Sequence, residues 1–111
     1  MAVYVYTKTP RRLLRSIREA IADGKIDTWE CDDDGDFTHT PPQWERKAWL
    51  RPQVEANRLV FNVIPPRAVK VSRVTYGVYH GRFIEMLVAH FDDLFERATA
   101  TALAASGDKV G

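Results

Sequence analysis

Two proline pairs set the main limits on how this 111-residue chain can fold. Proline lacks a backbone N–H and fixes φ, so a Pro-Pro pair fits neither the interior of a helix nor a central strand. Pro41-Pro42 and Pro65-Pro66 therefore end the elements that precede them. They divide the chain into a first part with strand and helix patterns, a middle part with strand patterns, and a last part in which a helical pattern dominates.

The first part predicts a strand that is followed at once by a helix. Residues 3–6 are rich in strand formers. Thr9 followed by Pro10 is typical of a helix N-cap and the first helical position. Gly24 suits the left-handed residue that follows a last helical turn. Between them lies an apolar stripe at helical spacing, formed by Leu13, Leu14, Ile17, Ala20 and Ile21.

Four further strands are predicted before the second proline pair. Residues 26–33 and 36–40 form a hairpin, for which Asp34-Gly35 indicates a type I′ turn. Residues 47–54 and 59–64 form two more strands, joined by a short polar turn. Pro52 lies within the first of these two strands, which indicates an edge position or a bulge.

A second helix is predicted from Ser72, as its N-cap, to Phe95 or Arg97. At about 100° per residue, His80 falls within the expected apolar face of this helix. That face is formed by Val78, Gly81, Ile84, Leu87, Val88, Phe91, Leu94 and Phe95. Because residues 71–80 also contain many β-branched and aromatic side chains, a strand that ends at Tyr79 is an alternative.

Two glycines and the segment after this helix leave further points open. Gly77 and Gly81 lie one turn apart, and we expect them to permit the close approach of a strand, a helix or a ligand. Residues 98–103 alternate in polarity and fit either a terminal edge strand or an extension of the helix.

These patterns predict an α+β fold with the order β-α-β-β-β-β-α and a terminal strand as an option. The expected architecture is a mostly antiparallel sheet of four to five strands, covered on one face by two helices. We expect residues 1–105 to form a single domain, because a chain of this length supports one hydrophobic core. Residues 106–111 are expected to form a flexible C-terminal tail. Strand edges of such a sheet could pair between two copies, so a homo-oligomer remains open.

Composition excludes several kinds of site. Cys31 is the only cysteine, so an intrachain disulfide and a multi-cysteine zinc site are both impossible. The spacing of His80, Glu85 and His90 directs their side chains to different sides of a helix, so we predict no metal and no cofactor. The N-terminus has no long apolar core, and no apolar run reaches the length of a membrane span. We therefore expect a cytoplasmic protein with no membrane partner.

The distribution of charge indicates a function. The formal net charge is +1, yet residues 26–40 carry six acidic and no basic side chains, whereas residues 41–82 carry eight basic and two acidic ones. Blocks of opposite sign suit a charged surface for a partner. No nucleophile or phosphate-loop motif is present. We expect a non-catalytic protein-binding module with an inhibitor, immunity-type or adaptor role, whose candidate partner-binding residues are Asp32, Asp33, Asp34, Asp36 and Trp44.

Two alternative functions use other residues. A small enzyme or ligand-binding protein would have a pocket around His80, lined by Tyr76, Tyr79 and Trp49, unless His80 is a hydrogen-bonded core residue. A nucleic-acid binder would use the exposed side of the first helix, where Arg11, Arg15 and Arg18 lie together. Nucleic acid is the less favoured partner because the total charge is close to zero.

Overall fold

The computed structural model describes residues 2–103, which form a six-stranded antiparallel sheet with two helices packed on one face. The strands are β1 (Ala2–Tyr6), β2 (Trp29–Cys31), β3 (Phe37–His39), β4 (Trp49–Val54), β5 (Arg58–Ile64) and β6 (Arg97–Ala100). The helices are α1 (Pro10–Ala22) and α2 (Arg73–Phe91). The strand order across the sheet is β2-β3-β4-β5-β1-β6.

The predicted α+β class is confirmed, and the observed order is the predicted one with its optional terminal strand. The sheet then has six strands, more than the expected four to five. The chain returns after α2 as β6 and pairs with β1 in the register Val3 to Ala100 and Tyr6 to Arg97. This pairing settles the alternatives for the C-terminal segment in favour of a strand. The tail predicted at residues 106–111 lies outside the described residues.

Helix α1 begins and ends at the residues that the sequence predicts. Pro10 occupies its first turn, and Gly24 follows it with a φ of 75°. The side chain of Thr9, however, makes no capping hydrogen bond. The hydroxyl of Thr7 instead accepts from the Thr9 N–H at 3.1 Å and donates to the Leu94 carbonyl at 2.7 Å. This hydroxyl joins the start of α1 to the segment that follows α2.

The turn between β2 and β3 differs from the predicted type I′ turn. A type I′ turn requires positive φ at both central residues, whereas in this loop only Gly35 has a positive φ, of 83°. The N–H of Gly35 donates to the Asp32 carbonyl, and the N–H of Asp32 donates to the Asp36 carbonyl. The loop is therefore one residue longer and carries glycine in the left-handed position, as in hairpins with three-residue loops.

The second half of strand β4 lies at an edge of the sheet, which explains how Pro52 is accommodated. Strand β3 pairs with β4 only at Phe37 and Leu50, whereas β5 pairs with β4 along all six of its residues. Beyond Leu50, β4 therefore has a neighbouring strand on one side only. Pro52 lies in this stretch, so its missing N–H removes no hydrogen bond to β3.

Helix α2 starts as predicted but ends earlier, and its buried face only partly matches the predicted one. Ser72 is its N-cap and accepts a hydrogen bond from the Thr75 N–H, which excludes the alternative strand. The helix ends at Phe91 rather than near Phe95. Val88 and Gly81, both expected on the buried face, are exposed. The buried residues of α2 are Thr75, Tyr79, His80, Phe83, Met86, Leu87 and Phe91.

The close approach expected at Gly77 and Gly81 does not occur in the described structure. Both glycines are exposed, and a Cβ built on either would have no described atom within 4 Å. The core lies instead between the other side of α2, the stripe of α1 and one face of the sheet. Phe83 lies near its centre, with ring centroids 4.7 Å from Phe61 and 5.0 Å from Trp29.

Candidate functional site

His80, the residue around which a pocket was expected, is buried in the core side of α2. Its side chain is 3% exposed. The Nδ1 atom lies 2.6 Å from the Tyr76 carbonyl, one turn earlier in the helix. Since a carbonyl only accepts, Nδ1 carries the proton of this hydrogen bond. The interior position of His80 is therefore explained in part by a bond within its own helix.

The other members of the expected pocket do not gather around His80. Tyr76 is adjacent, with ring centroids 5.9 Å apart. Tyr79 is fully buried, and its hydroxyl donates to the Trp44 carbonyl and lies 3.1 Å from the Thr38 hydroxyl. Trp49 is half-buried on β4 beside Leu50, and strand alternation places it on the sheet face away from the helices. The four residues therefore do not line one cleft.

A second buried histidine, His39, was not among the residues expected to line the pocket. Its Nδ1 donates to the Thr28 carbonyl at 2.7 Å, and its Nε2 lies 3.5 Å from Nη1 of Arg82. Burial lowers the pKa of His39, and the Arg82 guanidinium lowers it further, while the Thr28 carbonyl and Glu85 act in the opposite direction. Its cross-strand partner Trp29 could have indicated burial, since the two residues face each other in the β2–β3 pair.

The acidic hairpin carries less uncompensated charge than its sequence suggests. Carboxylate oxygens of Asp32, Asp34 and Asp36 lie within 4.8 Å of one another. One oxygen of Asp32 accepts from the backbone N–H groups of Asp34 and Asp36, both at 2.9 Å, so the turn itself holds this carboxylate in place. Asp36 is buried and forms a bidentate ion pair with Arg51, at 3.0 and 2.8 Å.

The remaining predicted partner-binding residues of this region are Asp33 and Trp44. Asp33 is exposed at the hairpin tip. Trp44 is half-buried and packs against the core, and its indole Nε1 is buried with no hydrogen-bond partner among the described residues. Trp44 therefore contributes to the packing of its loop against the core.

The three arginines of α1 do lie together, and they form one wall of a groove. Arg11, Arg15 and Arg18 are all exposed. They border a cavity of about 400 Å³ whose other lining residues are Leu14, Glu19, Ala22 and Val54. A second cavity, of about 540 Å³, shares Arg11 and Val54 with the first and is also lined by Thr9, Pro10, Arg12, Glu55 and Ala56. We call these adjoining cavities the α1 groove.

The charges in the α1 groove are unevenly compensated. Arg18 donates to the Gly35 carbonyl at 3.2 Å, and Glu55 is paired with Arg58. Within residues 2–103, Arg11, Arg12 and Arg15 have no ion pair. The floor is partly apolar because Pro10, Leu14 and Val54 contribute to the lining. The groove therefore presents three available guanidinium groups above apolar side chains.

The sequence identified one wall of this groove but not the other. The spacing of Arg11, Arg15 and Arg18 on a helix is a local pattern. The opposing wall consists of Val54 and the turn that follows it, which approach α1 only because the sheet brings β4 beneath that helix. A single sequence contains no local signal for that long-range contact.

Comparisons with protein-family models, curated proteins and solved structures found no match to this chain. Neither described helix combines the length and apolar character that a bilayer crossing requires. The residues of the site itself are therefore the basis for inferring a function.

Proposed function

We propose that this chain is a non-catalytic, cytoplasmic protein-binding module whose α1 groove holds an acidic segment of a partner protein. The observation that carries the proposal is the convergence of Arg11, Arg12 and Arg15, without ion-pair partners among the described residues, along a groove with an apolar floor. Arginine suits this role because its planar fork binds a carboxylate through two parallel hydrogen bonds.

The dimensions of the groove suit a short peptide segment. Helix α1 contains 13 residues, so it is about 20 Å long at the usual rise per residue. An extended segment of about six residues spans that length. Carboxylates at alternate positions could reach the arginines, while the apolar side chains between them would face Val54 on the opposing wall.

A protein segment suits the groove better than a nucleic-acid backbone does. A nucleic-acid backbone carries a charge at every nucleotide, whereas a peptide can place uncharged residues opposite Glu19, which lines the groove among the arginines. Apolar side chains of a peptide would also gain from contact with the floor. The single free cysteine, half-buried Cys31, agrees with a reducing compartment.

The same lining supports binding rather than catalysis. The residues that border the α1 groove include no histidine, cysteine or serine. Cys31 lies nearby, but burial raises the pKa of its thiol, which Arg18 opposes only in part. A thiol that stays protonated is a poor nucleophile.

Binding of model probes tests this proposal. The protein would be titrated against a fluorescent peptide of alternating glutamate and leucine and against an oligothymidine of similar charge. We expect the peptide to bind more tightly at equal ionic strength. The triple variant Arg11→Gln, Arg12→Gln and Arg15→Gln should weaken peptide binding about tenfold, since three exposed contacts of about 0.5 kcal/mol each sum to about 1.5 kcal/mol.

A matched triple variant controls for net charge. Lys25, Arg67 and Arg73 are exposed and lie outside the α1 groove, and their replacement by glutamine removes the same charge. This variant should bind the peptide as the unmodified protein does. Tighter binding of the oligothymidine, with a steep salt dependence that the groove variant abolishes, would instead support the nucleic-acid alternative.

A further inference from the structure

A second cleft is lined by residues of the 41–82 stretch, in which basic side chains outnumber acidic ones. It has a volume of about 430 Å³ and is formed where residues 45–47 face residues 66–72. Three cationic side chains line it, from Arg46, Lys47 and Lys70. The α1 groove shares none of its lining residues with this cleft, so the two sites are separate.

The two segments bring these cations together from distant parts of the sequence. Lys47 lies in the loop before β4, and Lys70 lies between β5 and α2. All three cationic residues are exposed, and within residues 2–103 none has an ion pair. Glu45 is the only acidic lining residue, so the cleft has a net charge of +2 from three positive groups and one negative group.

The remaining lining gives the cleft an apolar side. Pro66, Val69 and Val71 contribute to it, and Val69 is 52% exposed. An exposed apolar residue beside cations suits a ligand that has an apolar body and a charged group. The volume also lies within the range of about 300–1,000 Å³ that is typical of small-molecule sites.

We propose that this cleft binds a small organic phosphate, with the phosphate between Arg46, Lys47 and Lys70 and an apolar group against Val69 and Val71. A phosphate monoester carries a charge of about −1.5 to −2 near neutral pH, which matches the net charge of the cleft. A carboxylate carries half of that charge or a little more, so it would leave one cation unmatched. Lysine and arginine are both established phosphate-binding side chains.

Phenyl phosphate is the probe that separates the two parts of this proposal. Amide chemical shifts would be followed by NMR at constant ionic strength during titration with phenyl phosphate, benzoate or inorganic phosphate. We expect saturable shifts at residues 45–47 and 69–72 with phenyl phosphate. Phenyl phosphate should bind at least tenfold more tightly than benzoate, because the cations favour its higher negative charge. It should also bind more tightly than inorganic phosphate, because the valines contact its ring.

Two double variants show whether the cleft or the total charge is responsible. Lys47→Gln with Lys70→Gln should weaken phenyl phosphate binding at least tenfold. Lys8→Gln with Lys25→Gln removes equal charge from exposed positions outside the cleft and should leave binding unchanged. Shifts that do not saturate, equal affinity for benzoate, or equal losses in both variants would overturn the proposal.

Discussion

At the scale of single residues, Gly24 and Gly81 differ chiefly in one backbone angle. A Cβ added at either position would meet no described atom within 4 Å. Gly24 has a φ of 75°, in the left-handed region, whereas Gly81 lies inside helix α2. The same substitution should therefore have opposite effects at the two positions.

We expect Gly81→Ala to increase the free energy of unfolding by about 1 kcal/mol, the difference in helix propensity between the two residues. Gly24→Ala should decrease it by about 1 kcal/mol, because the left-handed conformation penalises a Cβ more than the stiffer unfolded chain compensates. Urea denaturation measures both. Destabilisation by both substitutions would show that Gly81 has a role that the helix alone does not explain, whereas stabilisation by both would contradict the role assigned to the φ of Gly24.

The hydroxyl of Tyr79 is the second informative group at this scale. It links α2 to the loop before β4 through the Trp44 carbonyl, and it also contacts Thr38. Tyr79→Phe should lower the free energy of unfolding by about 1.5 kcal/mol. This value combines the loss of a buried hydrogen bond with the cost of leaving its partner groups without a donor. Tyr4→Phe changes a half-buried tyrosine and should have an effect of less than about 0.5 kcal/mol. Equal effects would contradict a structural role for the Tyr79 hydroxyl.

At the scale of elements, the hairpin of β2 and β3 is joined to the rest of the sheet by few contacts. Strand β3 pairs with β4 only between Phe37 and Leu50. The ion pair between Asp36 and Arg51 lies beside that pair and adds two charge-assisted hydrogen bonds. This ion pair should therefore control how readily the hairpin separates from β4.

Replacement of Asp36 by asparagine tests that role. We expect Asp36→Asn to lower the free energy of unfolding by about 1 kcal/mol. The loss is smaller than for a fully buried ion pair because the Arg51 side chain is 41% exposed and solvent screens its charge. Hydrogen exchange of the amides at residues 37–39 should accelerate more than exchange in β5. Asp33→Asn, at the exposed tip, provides the control and should change neither quantity. A similar effect of both variants would show that only the total charge matters.

Local signals predicted some elements better than others. Thr9-Pro10, the apolar stripe and Gly24 all belong to α1 itself, so its bounds could be read from the sequence. The buried side of α2 could not, because apolar side chains lie on more than one side and the position of the sheet selects among them. Val88 was expected inside and is 54% exposed, whereas Thr75 is buried.

The candidate site was predictable to a similar extent. The helical spacing in the sequence places Arg11, Arg15 and Arg18 together, as the structure does. On sequence alone they indicate nucleic-acid binding, the less favoured function. The apolar floor and the wall at Val54 depend on tertiary packing and became apparent only in the fold.

At the scale of the whole molecule, His39 should make stability depend on pH. Burial lowers the pKa of the folded His39 below its ordinary value of 6.5. The unfolded chain then binds a proton more readily than the folded protein does, so stability decreases as pH falls below about 6.5. Arg82 and Glu85 are the charged groups that face this ring. Arg82 lowers the pKa and Glu85 raises it, and the pKa remains lowered when both act together with burial.

Comparison with His39→Gln isolates this contribution, since both proteins retain His80 and His90. The free energy of unfolding of the unmodified protein should decrease more between pH 7.5 and pH 5 than that of the variant. Urea denaturation at several pH values gives both slopes. Parallel slopes would mean that His39 takes up its proton equally well in the folded state.

The α1 groove is the central feature of the function that we propose for the whole molecule, and site-specific photo-crosslinking in the native cell tests that proposal most directly. A crosslinking side chain would be placed at Ala22 or Ala56, which are exposed and line the groove, with exposed Ala89 of α2 as the control. Mass spectrometry would identify the attached segment. We predict one nuclease-resistant protein adduct at both groove positions, joined through an acidic segment and lost in the triple arginine variant. Equal adducts at Ala89, a neutral or basic segment, or an adduct that nuclease removes would contradict the account.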